Sequence, residues 1–336
     1  MAGLSKVALA CFCLLWVWAC ERSQTTYHLP HIPAEFTLPD SVRNPSAFAM
    51  AQMRLGRALF FDTRLSRAGD YSCASCHQPQ LAFSDSLPTS IGSHQGIGRR
   101  NAPPLFNLHF HSSFFADGGV PRLEEVALGP MDNRHELDLH VRELSMRLRE
   151  IPVYNEWFGQ VYQRQPDPFT ITRALLWYQL SLISANSPYD RWHYKQEPLP
   201  AAALRGKALY ESERLACAGC HGGPNFSDAD FHNIGLYIGS KPDTGRARVS
   251  MRWEDYGKIK TPSLRNLTFT APYMHDGRFR TLEEVIDYYD RGGDCEPGQD
   301  SRIRPLGLSN AEKHDLKAFL LALADTAFTL HSDFQP

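Results

Sequence analysis

Cys73-Ala74-Ser75-Cys76-His77 and Cys217-Ala218-Gly219-Cys220-His221 constrain this chain more than any other stretch. In C-x-x-C-H, two thiols add across the two vinyl groups of a porphyrin, and the adjoining imidazole falls beneath the iron as its proximal ligand. Each element of the spacing has a job, so the motif is specific for covalently attached haem c. Two copies predict two haems, held through Cys73, Cys76, Cys217 and Cys220, with His77 and His221 as axial ligands. The alternatives are a zinc site or a pair of short disulfide loops. Zinc asks for a tetrahedral Cys/His set, and each pair would need the other brought in from about 140 residues away.

The other cysteines and the N-terminus bear on where such chemistry takes place. Cys11 and Cys13 lie in an apolar run, Cys20 follows it, and Cys295 sits in a loop, Gly292 to Pro297, as a bystander. Met1 to Cys20 reads as an export signal, with Lys6 as its basic end, Val7 to Trp18 as its apolar stretch and Ala19 as a small cleavage-site residue. The run is too short to span a bilayer as a mature helix. Cys20 after Ala19 offers a lipoprotein site, although Trp18 is bulky for one, so a lipid anchor stays open. Either way the destination is the periplasm, where bacteria attach haem c. A formal charge of -2 gives no electrostatic case for nucleic acid or an anionic membrane surface.

The pattern beyond the signal is mainly α. Residues 21–48 carry Pro30, Pro33, Pro39 and Pro45 and read as an extended leader that wraps the first domain. Met50 to Leu59 is amphipathic, and helical pattern resumes at His135 to Glu150 and at Thr170 to Ser184. On the last of these Ile171, Ala174, Leu175, Tyr178 and Leu182 share a face. Ser187 to Pro200 reads as a linker, and a further helix is expected around Ala202 to Tyr210. The chain is internally duplicated. Gly56-Arg57-Ala58-Leu59-Phe60 precedes the first motif and Gly206-Lys207-Ala208-Leu209-Tyr210 the second. Asn107, Asp117-Gly118 and Leu123-Glu124-Glu125-Val126 recur at the same offsets as Asn266, Asp276-Gly277 and Leu282-Glu283-Glu284-Val285. Two tandem cytochrome c-like helical haem domains with long loops are therefore expected, at 49–195 and 196–326.

The copies differ where it matters. Thr281-Leu282-Glu283-Glu284 is a capping box opening a helix on which Leu282, Val285, Ile286 and Tyr289 share one face. That face places Tyr289 toward the core and Tyr288 away from it. The first-half equivalent of Tyr289 is Pro130, which cannot ligate iron, so this position offers a phenolate to the second haem only. A core tyrosine with a satisfied hydroxyl is the alternative.

Leu55-Gly56, Phe60-Phe61-Asp62-Thr63-Arg64-Leu65-Ser66, both C-x-x-C-H motifs, Arg100-Asn101-Ala102-Pro103 and Thr270-Ala271-Pro272-Tyr273-Met274-His275-Asp276-Gly277 resemble the bacterial di-haem cytochrome c peroxidase and MauG family, over about residues 50 to 325. The segments around Ser212 to Leu215, Asn225 to Asp228 and Phe231 to Tyr237 are similar to methanobactin-associated MauG relatives, which oxidise a partner protein. The resemblance implies that the first haem reacts with hydrogen peroxide and the second stores or relays electrons. It implies Tyr289 as the second haem's distal ligand, where peroxidases carry Met. An anionic oxygen favours the oxidised states of iron, whereas a thioether favours ferrous iron. The resemblance also implies Glu136 as the group that moves a proton between the peroxide oxygens so that water can leave. Without the resemblance, a lone Glu in a charged helix start is a solvated one. Asn101, Thr270 and Pro272 match the family's site for one Ca2+, a cation suited to carbonyl and amide oxygens; ordinary turn chemistry is the other reading.

Three departures stand out. The loop His of peroxidases that gate by ligand loss aligns with Ser93, with His94 one place off, so the first haem is expected to lack a fixed distal His. Ala116 replaces the inter-haem Trp, and Leu215 replaces a surface Trp ahead of the second motif. Trp157, Trp177, Trp192 and Trp253 could substitute, but each reads first as buried core, as do His109, His111 and His275. The expected function is a peroxide-dependent oxidoreductase that draws electrons from a protein, either a Trp or Tyr of a substrate protein or a small cytochrome or cupredoxin donor. A non-enzymatic di-haem electron carrier is the rival. A homodimer is compatible with either.

Overall fold

The structure is a computed structural model that describes residues 27–30, 32–236 and 243–336. The export signal, Cys20 and Tyr237 lie outside the described residues. The fold is mainly helical. Its longer helices are α1 (Ala47–Phe61), α2 (Val141–Glu150), α3 (Pro152–Tyr162), α4 (Pro168–Ser181), α5 (Pro188–Lys195), α6 (Ala201–Tyr210), α7 (Leu282–Asp290) and α8 (Asn310–Leu321). A two-residue pair of strands, β1 (Phe231–His232) and β2 (Ile259–Lys260), runs antiparallel with Phe231 opposite Lys260.

Local chemistry explains the helix starts. Ser46 caps α1 by accepting from the Ala49 amide, and Asp167 caps α4 in a reciprocal box with Thr170, with Pro168 at the first helical position. The apolar face of α4 is buried as its spacing predicts, with Ile171, Ala174, Leu175, Tyr178 and Leu182 all in the first core. There α4 crosses α1, and in the second half α8 crosses α6. Both crossings rest on the duplicated glycine. A Cβ on Gly56 would overlap the Ala174 carbonyl, and one on Gly206 would overlap the Asp315 carbonyl. The same residue thus allows the same close backbone approach twice.

Each half has its own core. The first gathers Met53, Leu59, Phe60, Phe83, Leu144, Phe158 and Tyr178, and Phe328 and Phe334 return from the C-terminal segment to join it. The second gathers Tyr210, Leu215, Phe226, Ile286, Phe319 and Leu323. The duplicated asparagines meet at the seam. Asn107 donates to the Ser184 carbonyl (2.8 Å), Asn266 donates to Ser184 Oγ (2.9 Å), and the Asp325 amide donates to Asn266 Oδ1 (2.8 Å).

Two sequence expectations need correction. The segment 187–200 is not a plain linker. Ser187 and Asp190 form a capping box that opens α5, and the buried Asp190 carboxylate takes both terminal nitrogens of Arg265 at 2.7 and 2.8 Å. The helix expected from His135 starts only at Val141, because Asp138 adopts a left-handed backbone and the chain turns back, Leu139 N–H donating to Met131 O at 2.7 Å. The leader, from residue 27 onward, wraps the first half: Tyr27 is hydrogen-bonded to Ser181 at 2.5 Å, and Phe36 is buried against Ile183 and Ala185.

Candidate functional site

The first motif forms one helical turn, Cys73–Cys76, opened by a capping box between Ser72 and Ser75, and His77 closes it. His77 Nδ1 lies 2.8 Å from the Phe83 carbonyl. A carbonyl only accepts, so Nδ1 carries the proton and Nε2 keeps its lone pair. Ala82 and Phe83 have left-handed backbones, which curl this carbonyl back onto the ring. In the second motif His221 Nδ1 has two carbonyls to choose from, Phe226 and Pro262, each at 3.2 Å. Tyr210 Oη donates to the His221 carbonyl. Burial lowers the pKa of both imidazoles against the opposing pull of these carbonyls, which favours the neutral form an iron ligand needs.

The donor set fits haem c. All four motif thiols are free, and burial pushes Cys73 up to about 12 and Cys217 to about 11. Each pair stands beside an imidazole with an available Nε2, an arrangement that second-layer carbonyls commonly fix for metal ligands. Zinc fits less well. Among the described residues the cluster with metal-ligand spacing is Cys220, Asp228 and His232, which contains one thiol and does not unite the two pairs.

Glu136 lies in the turn before α2, close enough to the first motif for its charge to act on Cys73 and Cys76. Burial raises its pKa, outweighing the hydrogen bond that Asn133 Nδ2 donates to Oε1 at 2.6 Å. The turn is tethered by the loop in which gated relatives carry a histidine. Ser93 N–H donates to the Glu136 carbonyl at 2.8 Å, and Gly92 packs so tightly on His135 that a Cβ would strike its carbonyl. His94 turns outward instead, with Nε2 3.4 Å from Asp138.

At the second motif the helical-face expectation is corrected. Tyr288, not Tyr289, is the fully buried member of the pair, and its Oη donates to the Ile234 carbonyl at 3.0 Å. Tyr289 is half-buried and faces the motif: burial, Tyr288 and the Cys217 and Cys220 thiols all raise its pKa. Its hydroxyl has no hydrogen-bond partner among the described residues. With no hydrogen-bond partner to satisfy, the phenol oxygen has the chemistry of a donor to a cation placed before it.

The seam between the halves carries the remaining sites. Asn101 N–H donates to the His275 carbonyl (2.8 Å) and Asn101 Nδ2 to Leu87 O (2.7 Å), which brings Asn101 against the loop holding Thr270 and Pro272. Beside it lies an ion-pair network that reading by sequence missed. Arg100 pairs with Asp243 at 2.6 Å and with Asp117 at 2.7 Å, and Arg248 also reaches Asp117 at 2.7 Å. Burial opposes ionisation of Asp117, but the two guanidiniums hold its carboxyl below the usual range. Arg100 and Asp117 each stood in a recognised motif; nothing in the sequence named Asp243 or Arg248 as partners. The Ala116 carbonyl accepts from Lys260 N–H at 2.8 Å, so this departure sits where the strand pair meets the first half. Leu215 is buried. Trp157, Trp177 and Trp192 pack against cores, whereas Trp253 is 78% exposed, which overturns its assignment to the interior. His109, His111 and His275 are partly buried. Among the described residues, no helix is long and apolar enough to cross a membrane.

Residues 50–198 match the family described as di-haem cytochrome c peroxidase. Over 307 residues the chain is 37% identical to the methylamine utilization protein MauG of Methylorubrum extorquens, covering 88% of this chain and 85% of that one. It is 34% identical to the cytochrome-c peroxidase IdrP2 of Denitromonas iodatirespirans, covering 84% and 85%. Among solved structures it superposes with a TM-score of 0.81 and 30% identity on a MauG-like protein associated with microbial copper homeostasis, covering 94% of this chain and 98% of that one.

Proposed function

The chain belongs to the di-haem cytochrome c peroxidase family, and from that premise we propose that it is a periplasmic MauG-like oxidase, which reduces hydrogen peroxide with two electrons taken from Trp or Tyr side chains of a partner protein. That it is a haem c oxidoreductase acting on peroxide follows from the family itself. The finer reading is carried by one observation: beside the Cys217–Cys220 motif the phenol of Tyr289 is half-buried and its hydroxyl has no hydrogen-bond partner among the described residues. An oxygen donor at that place favours storage of oxidising equivalents, the requirement for attacking a side chain with a high potential.

In this scheme Cys73, Cys76 and His77 would hold one haem and Cys217, Cys220 and His221 a second, and these groups would supply the redox equivalents for peroxide reduction. The balance is H2O2 + 2 H+ + 2 e− → 2 H2O. Glu136 takes a proton from one peroxide oxygen and returns it to the other, and Asn133 holds its Oε1 in place. The Phe83 carbonyl fixes the tautomer of His77, while the Phe226 and Pro262 carbonyls fix that of His221. The bond from Ser93 N–H to the Glu136 carbonyl holds this loop against the turn that carries Glu136. Asn101, Thr270 and Pro272 would hold one Ca2+ at the seam between domains 49–195 and 196–326. Acylation of Cys20 would tether the whole to the membrane.

A second reading, a detoxifying peroxidase fed by a small cytochrome or cupredoxin, is favoured by Ala116 and Leu215, which remove two aromatic stations of the MauG type. An electron carrier alone would have no use for a partly buried acid beside its first motif. The discriminating experiment adds peroxide to the fully oxidised protein without reductant. The MauG-like function predicts a change in the Soret band within seconds. An unchanged band, with turnover only after prior half-reduction, would contradict it.

A further inference from the structure

We infer that Trp253 is the surface port through which electrons from the protein partner enter. The port rests on the peroxide-dependent function proposed above and adds where the partner meets the chain. Trp253 and its near neighbour Met251 are 78% and 87% exposed, the two most exposed large apolar side chains among the described residues. Water penalises such display, so a bare indole beside a bare thioether marks a contact surface more readily than a packing accident. Behind the indole, contacts run inward without a break. The Trp253 and Tyr256 rings lie 4.9 Å apart between centroids. Asn233 Nδ2 donates to the Tyr256 carbonyl at 3.2 Å, Ile234 follows in the chain, and its carbonyl accepts from Tyr288 Oη at 3.0 Å. Tyr288 then meets Tyr289 edge to face at 5.7 Å.

The chemistry of these groups decides which of them can hold charge. Oxidising a buried tyrosine requires somewhere for its proton to go, and Tyr288 donates to a carbonyl that cannot accept it. The Arg291 guanidinium, 4.7 Å from the Tyr288 ring centroid, further disfavours a positive charge there. Tyr288 therefore bridges and does not store. Trp253 differs, because its indole proton can leave directly to water. In each transfer a partner side chain loses one electron and releases its proton to solvent, while the enzyme's oxidised centre gains that electron. Two transfers supply the two electrons that convert H2O2 and two protons into two waters. Leu215, buried at the position of the family's surface Trp, leaves this role vacant, and Trp253 fills it from another loop.

The test uses the fully oxidised holoprotein treated with H2O2 in the absence of any protein donor, followed by peptide mass mapping. Starved of a partner, the port should become the substrate: indole C–H is converted to C–OH, two electrons pass to peroxide, and one water is released. Oxygen gain at Trp253 is expected in the wild type and should be lost in the Glu136→Gln holoprotein, which controls for direct attack by peroxide. Freeze-quenched EPR of protein carrying ring-deuterated tryptophan should show a narrowed organic radical that Trp253→Phe abolishes, with resting Soret and far-UV CD spectra checking the fold. A wild type that reacts with peroxide but is oxidised at Trp157 or Trp177, or a radical that survives Trp253→Phe, would overturn the port and leave the function standing. A wild type that does not react with peroxide would overturn both.

Discussion

Glu136→Gln is expected to slow the reaction with peroxide by about a hundred- to ten-thousand-fold, the usual range for loss of a general acid–base group. Glutamine preserves the side-chain volume and still offers an oxygen to Asn133 Nδ2, now 2.6 Å from Glu136 Oε1, so the turn should keep its shape. What it cannot do is take up a proton. Stopped-flow Soret traces would measure the rate, with the resting spectrum as the check that the haem environment is intact. The pH profile adds a second readout. Burial raises the Glu136 pKa, and the form that accepts a proton is the carboxylate. The rate should therefore fall on acidification at a pH above the ordinary glutamate value of about 4.3, and this acid limb should be missing in the Gln variant. A variant with wild-type rate would show that Glu136 only shapes the turn.

Asp190→Ala is expected to destabilise the fold by about 3–5 kcal/mol, the cost of removing one partner from a buried ion pair. Arg265 and Asp190 are 1% and 0% exposed, and the guanidinium also donates to the Pro224 carbonyl between the rings of Phe36 and Phe226. Alanine would leave that charge enclosed and uncompensated. Urea titration followed by far-UV CD would measure the loss, and Asp190→Asn should recover little of it, because the amide keeps one acceptor oxygen, sets an NH2 donor against the other guanidinium nitrogen and leaves the charge uncompensated. The pH dependence follows from the sign of the shift. Burial raises the Asp190 pKa, but Arg265 and Ser187 outweigh it and the folded value is depressed. The contribution is therefore complete above the unfolded-state value of about 3.9 and is lost as pH falls through the lower folded value. Equal stability of variant and wild type would remove the pair from any part in joining the halves.

Regular patterns were legible in the sequence and tertiary partners were not. The haem motifs, the duplication and the capping box at Thr281 depend on spacing along the chain, and the α7 start and the paired α1–α4 and α6–α8 crossings match them. The α5 helix escaped because Pro188 and the polar residues after it resemble a linker, although Ser187 and Asp190 stood at capping-box spacing. Tyr288 and Tyr289 were exchanged because helical periodicity fixes an angle but not what lies opposite. One side of α7 meets protein and the neighbouring side meets the Cys217–Cys220 motif. Asp243, Arg248 and the exposure of Trp253 come from contacts between distant loops, for which composition and period carry no signal. Tryptophan's usual burial pointed the wrong way for Trp253.

Everything in the proposed chemistry depends on two unlike iron sites: His77 would hold one iron beside Glu136, and His221 would hold the other, with Tyr289 as its further ligand. The direct test is the resting ferric protein, with haem counted per chain and Mössbauer spectra compared between wild type and Tyr289→Met. Two haems giving two unlike ferric signals, of which only one moves on substitution while its potential rises, is the predicted result. A single haem, two identical six-coordinate low-spin signals, or a spectrum indifferent to Tyr289→Met would contradict it.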